Sequence, residues 1–374
     1  MAGIYIHIPY CKQACHYCDF YFSTSVQTKD AFLGALKREM ALRKDYLQGE
    51  QINSVYFGGG TPSLLSESEL NGIFTELGRH FSIADTAEIT LEANPDDLSV
   101  EKLEMLKKAT VNRLSIGLQS FEEKDLVYMN RSHTAEMGKG SVKRAQDAGF
   151  ENISVDLIYG TPGLSRKGWE HNLSEVFKLG VQHLSCYALT VEPRTALDHF
   201  IRAGKRTGPD EEQSSEHFEV LLEEVQRNNF IQYEISNFAL DGFYSRHNSN
   251  YWLGETYLGL GPSAHSYDRS SRQWNVRNTN LYIRSLEKGE VDFEREVLDR
   301  NTLYNEYVLT SLRTIWGVDL NRMKDLGEGY LSSCLAEAEK YIRSGDVYRT
   351  ASGLFLSDKG KLIADRISSD LFVV

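Results

Sequence analysis

Cysteine is scarce: five in 374 residues is an odd, low count. That argues against a disulfide framework and for a reducing compartment, expected to be the cytoplasm. No apolar run approaches the ~18 residues that a membrane helix needs, so direct membrane insertion is not expected. The stretch Met1–Tyr10 has no basic region and no long apolar segment, so no secretory signal is expected there. Basic charge is also short, with 41 Lys and Arg facing 53 Asp and Glu, a formal net charge of −12. This disfavours broad electrostatic gripping of nucleic acid or anionic membrane. Internal repeats and low-complexity tracts are missing too. What remains is a globular composition, 41% hydrophobic and 25% charged. At roughly 150 residues per domain the length predicts two or three domains.

The first half alternates strand and helix patterns. Ile4, Ile6 and Ile8 share one face of a strand over Gly3–Ile8, with Tyr5 and His7 on the other. Thr28–Leu47 places Phe32, Leu36, Met40 and Leu47 at helical spacing. Strands follow at Ile52–Phe57, Glu88–Ala93, Arg113–Leu118, Asn152–Tyr159 and His183–Thr190. Helices fall between them at Glu67–His80, Val100–Ala109, Thr134–Ala148 and Lys167–Leu179. Repeated β–α steps with right-handed crossovers imply a parallel sheet, either doubly wound or curved into a partial barrel. After Glu192 the pattern breaks. Arg202–Ser215 is rich in charge, Gly and Ser and predicts a surface loop, and a helix follows near Ser215–Asn228. Residues 230–280 are dense in Tyr, Asn, Ser and Gly and have no clear period. Near the end, a helix at Leu331–Ile342, a hairpin within Asp346–Ser357 and a helix at Asp358–Leu371 give a winged-helix-like order. From Asp319 onward eight Lys/Arg face nine Asp/Glu, which gives no basic face for DNA. The expected division is 1–195, 196–300 and 301–374.

Cys11, Cys15 and Cys18 form C-x3-C-x2-C in the loop after the first strand. Three thiolates this close can hold one soft metal centre. Structural zinc wants four ligands, and His16 inside the loop is a candidate fourth. An iron–sulfur cube held by three thiolates leaves one iron open to a further ligand. Incidental cysteines are the remaining alternative.

This motif, with Tyr17 before the last cysteine, resembles the radical S-adenosylmethionine superfamily. The resemblance implies a partial (β/α)6 TIM-like barrel carrying a 4Fe–4S cluster on Cys11, Cys15 and Cys18. The open iron of that cluster would chelate S-adenosylmethionine, whose reductive cleavage gives a 5′-deoxyadenosyl radical. Gly58-Gly59-Gly60-Thr61-Pro62, at the end of the second strand, is similar to the superfamily's glycine motif, although such a run also fits a plain tight turn. Glu92, Gln119, Asp156 and Ala188 sit at or near the ends of later strands, where catalytic residues of β/α barrels collect.

Ile6-His7-Ile8-Pro9-Tyr10-Cys11, Glu92-Ala93-Asn94-Pro95, Ile116-Gly117-Leu118-Gln119-Ser120-Phe121 and Asn130-Arg131-Ser132-His133 resemble the oxygen-independent coproporphyrinogen III oxidase branch over nearly the whole chain. By motif, the cofactor site would be lined by Tyr5, Tyr17, Gly59, Gly60, Thr61, Glu92, Gln119, Arg131, Asp156 and Ala188. An acid such as Glu92 or Asp156 suits a ribose or amino contact. Arg131 suits a carboxylate, or else stands as a surface residue at a helix start. Two departures point to the haem-chaperone group of that branch. Phe20 stands where the oxidase has a fourth cysteine, and only ten residues precede Cys11. Arg246-His247-Asn248-Ser249-Asn250-Tyr251-Trp252 resembles that group's HNxxYW haem motif. A histidine can ligate haem iron, and neighbouring aromatics offer flat faces to a porphyrin. His247 is the expected ligand, with His265 and His133 as alternatives.

The resemblance therefore implies haem as cargo, apo-haemoproteins as recipients and a possible homodimer. The competing expectation is an oxidase that decarboxylates coproporphyrinogen III. A radical enzyme acting on RNA is disfavoured by the acidic charge, and no nucleic-acid partner is expected.

Overall fold

A computed structural model describes residues 2–373. Its core alternates β1 (Ala2–Ile8), α1 (Lys29–Leu42), β2 (Ile52–Gly59), α2 (Glu67–His80), β3 (Ile83–Ala93) and α3 (Val100–Lys108). It continues with β4 (Arg113–Gln119), α4 (Glu123–Met129), α5 (Ala135–Asp147), β5 (Ile153–Tyr159), α6 (Arg166–Leu179) and β6 (His183–Ala188). The six strands are parallel and lie side by side in chain order. Consecutive right-handed crossovers of this kind put every helix on the same face and carry all six C-terminal strand ends to one rim. Helix starts are written locally: Ser66, Ser99, Thr134 and Ser165 each accept a hydrogen bond from the backbone N–H three residues on. At Ser66 the Glu69 carboxylate returns the bond, closing a capping box. Phe32, Leu36 and Met40 of α1 and Trp169, Leu173 and Val176 of α6 are buried in the same apolar core as Ile4, Ile6 and Ile8.

The helix expected to run to Leu47 stops at Leu42. The chain then turns through Gln48 and Gly49, both at positive φ. Leu47 is nevertheless buried, so its apolar signal was real while its periodicity was not. The short α4 has only Leu126 and Met129 as buried apolar positions, too few to show a period. The helix expected near Ser215 begins at Glu211, where the Asp210 side chain accepts from Gln213 N–H, so the loop ahead of it is shorter than expected.

Residues 230–280, without period in the sequence, fold into short regular pieces. These are β7 (Ile231–Glu234), β8 (Asn237–Ala239), a helix at Arg246–Leu253, β9 (Tyr257–Leu260), β10 (His265–Tyr267) and β11 (Ser271–Asn275), with β12 (Phe293–Val297) beyond them. Strands of three to five residues cannot display an alternation. They enlarge the sheet at both ends. β8 pairs antiparallel with β6, and β9 pairs parallel with β1. The order is β12-β11-β10-β9-β1-β2-β3-β4-β5-β6-β8-β7, so the barrel stays open with β12 and β7 at its edges.

Helix α1 is tied to this extension by a buried charge network. Glu39 is fully buried and accepts from Gly261 N–H (2.8 Å), Asn275 Nδ2 (2.7 Å) and Tyr282 Oη (2.6 Å). Arg43 lies 3.6 Å from it and donates to Gln273 (2.7 Å) and Asn275 (3.2 Å). A second apolar cluster, from Tyr304 to Leu371, forms the C-terminal region. There, helix Arg300–Leu312, strand β13 (Val318–Asp319), helices Leu320–Leu326 and Glu328–Ser344, and the hairpin β14 (Val347–Arg349) and β15 (Gly353–Leu356) follow a winged-helix order. The single helix expected at Asp358–Leu371 is two, Asp358–Lys361 and Ala364–Asp370.

Removing the Glu39 carboxylate would leave Arg43 buried without its counter-charge. Glu39→Ala is expected to lower unfolding free energy by about 3–5 kcal/mol, and Glu39→Gln by less. Urea denaturation measures both, and a loss under about 1 kcal/mol for the alanine variant would contradict the role assigned to this pair.

Candidate functional site

The rim of the sheet opens into a cavity of about 980 Å³. The cysteine loop closes one side of it. Cys11 N–H donates to Ser23 O (3.0 Å), and Asn130 Nδ2 donates to Ala14 O (2.7 Å). Asn130 ends α4 in the left-handed conformation, which turns its side chain back onto the loop. Cys11, Cys15 and Cys18 carry free thiols, are half-buried, and all line the cavity. Among the described residues, no three His, Cys, Asp or Glu side chains close on one single-ion position. A mononuclear zinc needs its thiolates about 2.3 Å from a common point, whereas a cube takes each thiolate on a different iron. His16 turns away, its Nδ1 3.1 Å from Tyr128 O. Three thiols on one loop, with His16 turned away from them, are the donor set that a cluster held by three thiolates would use.

The glycine run is held by sterics. Gly60 passes so close to the cysteine loop that a Cβ there would sit 2.7 Å from the carbonyl oxygens of Ile8 and Tyr10. Gly59 has φ +101°, and a Cβ there would meet the His7 ring at 2.4 Å. Gly60 N–H donates to Ile8 O (2.8 Å) and Thr61 N–H to Tyr10 O (2.7 Å). The tight-turn reading of this run is thus satisfied in full, and the turn still lines the cavity.

Two of the carboxylates that line the cavity stand on strands of the sheet, Glu92 on β3 and Asp156 on β5. Glu92 accepts from Tyr56 Oη (2.8 Å) and Gly59 N–H (3.2 Å). Burial pushes its pKa up to about 7, against the Tyr56 hydrogen bond, with Asp156 adding to the rise. Asp156 accepts from Ser115 Oγ (3.1 Å), and burial pushes it up to about 6. Arg113, on β4, and Arg131 supply opposing charge. Arg131 is not a surface residue. Its guanidinium donates to Asn94 Oδ1 (2.8 Å), Gly117 O (2.8 Å) and Cys15 Sγ (3.3 Å), while its buried Nε is unpaired. It thus ties the ends of β3 and β4 to the cysteine loop and sets a positive charge beside Cys15.

Tyr17, Gly59, Gly60, Thr61, Glu92, Gln119, Arg131, Asp156 and Ala188 all line this cavity with the cysteines. Tyr5 does not. It stacks on Tyr56 (6.1 Å between ring centroids) and lines a second cavity of about 750 Å³. Asp19, Phe20 and Asn248 line both cavities and form a shared wall. Of the haem motif, Asn248, Tyr251 and Trp252 reach the second cavity, but His247 reaches neither. His247 is buried between the rings of Tyr56 (5.1 Å) and Tyr251 (5.2 Å), with Nδ1 3.0 Å from Ser54 Oγ. Burial, then Arg113, pushes its pKa down to about 3. His133 is buried too, with Nε2 bonded to Leu118 O (3.1 Å). Of the three candidate histidines, His265 lines the second cavity, and neither His133 nor His247 lines either of the two.

Sequence reasoning passed over Tyr56, Arg113 and Ser115, which line the first cavity, and Asn94, which joins Thr61 to Arg131. The signal was available as a period of two. Ser54 and Tyr56 on β2, Glu88, Thr90 and Glu92 on β3, and Arg113 and Ser115 on β4 each alternate with apolar residues.

Folding raises the Glu92 pKa from 4.5 to about 7. Its contribution to stability is therefore full below 4.5 and is lost as pH rises through about 7. In cofactor-free protein, Glu92→Gln is expected to make the fall of Tm across that window shallower. A variant whose Tm curve runs parallel to wild type would contradict this.

The model of the Radical SAM superfamily matches residues 5–176. Over 376 aligned residues the chain is 37% identical to the Heme chaperone HemW of Bacillus subtilis (strain 168), covering 98% of each. It is 33% identical to the Heme chaperone HemW of Mycobacterium tuberculosis (strain ATCC 25618 / H37Rv), covering 98% of this chain and 93% of that protein. Among solved structures, Coproporphyrinogen III oxidase (HemN) from Escherichia coli superposes with a TM-score of 0.86 at 22% identity, covering 100% of this chain and 90% of that one. That likeness establishes the fold, with its parallel core. With relatives of this identity along almost its entire length, the chain belongs to the radical SAM superfamily and, within it, to the HemW family.

Proposed function

We propose that the chain is a haem chaperone built on a radical SAM scaffold, carrying a cluster and cofactor in the first cavity and haem in the second. The observation that carries this reading is the adjacency of two differently lined cavities across one wall. The first has three free thiols, the strand-borne carboxylates of Glu92 and Asp156, and a glycine turn. The second is walled by aromatic rings, among them Tyr5, Tyr251, Trp252 and Tyr257, as a flat apolar ligand requires.

Cys11, Cys15 and Cys18 would hold the 4Fe–4S cluster, with the Arg131 guanidinium 3.3 Å from Cys15 Sγ. S-adenosylmethionine brings a cationic sulfonium and an amino group, and Glu92 and Asp156 supply the matching negative charge. Tyr17, Gly59, Gly60, Thr61, Gln119 and Ala188 would complete its cradle. The family's cofactor supplies reductive cleavage chemistry when bound. The names of the HemW relatives support haem as cargo and apo-haemoproteins as recipients. Phe20, in the fourth-cysteine position, is 66% exposed on the wall between the cavities, where it offers a ring to either side.

The test is an anaerobic reconstitution followed by haem titration, transfer to apomyoglobin, and incubation with coproporphyrinogen III, S-adenosylmethionine and reductant. Expected are a saturable Soret band at one haem per chain, haem transfer, and no protoporphyrinogen. Decarboxylation without saturable haem binding would replace this reading with the oxidase one. Because the cavities are separate, the triple variant Cys11→Ala, Cys15→Ala, Cys18→Ala is expected to lose cluster absorption and keep the Soret band. Loss of both signals in a folded triple variant would place haem on the cysteines instead.

A further inference from the structure

Four arginines line the second cavity in a chain of net charge −12. Two are neutralised locally: Arg269 pairs with Glu255 (2.7 Å) and Arg272 with Glu306 (2.9 Å). The other two are not. Arg277 donates to the Asp19 carbonyl, and Arg322 donates to Leu253 O (3.2 Å) and lies 4.5 Å from the centre of the Tyr307 ring. Among the described residues no carboxylate stands within ion-pair distance of either. Asp19 and Glu306 line the same cavity, but neither carboxylate pairs with Arg277 or Arg322, and two unpaired guanidiniums match a ligand bearing two carboxylates.

Two histidines line the same cavity. Both nitrogens of His7 are occupied, Nδ1 by Tyr5 Oη (3.2 Å) and Nε2 by Tyr21 O (2.8 Å). His265, on β10, has no hydrogen bond to either ring nitrogen among the described residues. Its ring is exposed on the cavity side of β10, 6.1 Å from the Trp274 ring. The cavity volume of about 750 Å³ suits a single enclosed small molecule.

We infer that this cavity binds a planar metalloporphyrin dicarboxylate through His265 as axial ligand to the metal and through Arg277 and Arg322 as partners of its two carboxylates. This deepens the haem-chaperone reading and rests on it. It also reassigns the motif histidine. His247 lies behind Tyr251 and positions that ring, and it does not touch the ligand.

Ferric haem and its dimethyl ester are titrated into wild type, His265→Ala, His247→Ala and the double variant Arg277→Gln, Arg322→Gln, with absorption and electron paramagnetic resonance as readouts. His265→Ala is expected to lose the histidine-ligated spectrum and bind about tenfold to a hundredfold more weakly. Added imidazole should restore the spectrum, which a merely structural residue would not allow. The arginine variant should lose the preference of wild type for haem over its dimethyl ester while keeping histidine ligation. His247→Ala should keep both. An unchanged spectrum in His265→Ala, or loss of histidine ligation in a folded His247→Ala, overturns the assignment of His265. Retained preference for the free acid in the arginine variant overturns the carboxylate site. Absence of saturable haem binding by wild type itself fails the chaperone reading, and this inference with it.

Discussion

The way the chain leaves β1 is the constraint on which the rest of the rim depends. β1 is flanked by β2 on one side and β9 on the other. At its end the backbone passes between two glycine turns. A Cβ on Gly59 would strike the His7 ring, one on Gly60 the backbone of Ile8 and Tyr10, and one on Gly261 the His7 carbonyl oxygen at 2.6 Å. Three residues without side chains let three backbone segments meet, and the cysteine loop starts from that meeting point. The placement of Cys11 is therefore decided by sterics before any metal is considered. Neither glycine turn needs a ligand to justify it, but together they deliver the thiols to the cavity mouth.

Much of this was legible in the sequence because the signals are local or periodic. C-x3-C-x2-C is local. Ile4, Ile6 and Ile8 alternate, and four Ser or Thr caps mark helix starts. The positions of Glu92, Gln119 and Asp156 follow from strand ends once the strands are found. The extension was not legible, because its strands are held by pairing with β1 and β6 rather than by any pattern of their own. Nor could the sequence separate two neighbouring cavities. Tyr5 alternates correctly with Ile4 and Ile6, but the side of Tyr56 on which its ring falls is a tertiary fact. The burial of His247 was not legible for the same reason. A histidine among aromatics has the composition of a ligand site, and only packing reveals that Tyr56 and Tyr251 enclose it.

The two cavities are separate yet mechanically joined. The Tyr5 and Tyr56 rings stack through the wall, and His247 bridges Tyr56 to Tyr251. The C-terminal region contributes to both walls: Arg313 and Asp365 line the first cavity, and Leu303 and Tyr307 line the second. Because residues of one region line both cavities, a displacement of that region would change both. Tight packing of the intervening rings makes such a displacement a discrete rearrangement rather than a graded one.

Strand β3 sets the spacing between the sites. Glu88 and Glu92 are four residues apart and therefore on the same face of the strand. Glu92 accepts the Gly59 N–H and so fixes the glycine turn. Glu88 accepts the backbone N–H groups of Arg246 (3.0 Å) and His247 (3.1 Å), capping the helix that carries Tyr251 and Trp252. A carboxylate at a helix N-terminus satisfies otherwise unpaired donors and meets the positive end of the dipole, a gain of up to about 2 kcal/mol when partly buried. Buried acids are costly unless they are paired in this way. The same strand thus uses one acid to seat the cofactor turn and another to seat the aromatic helix. Their fixed separation along the strand holds the two cavities in register.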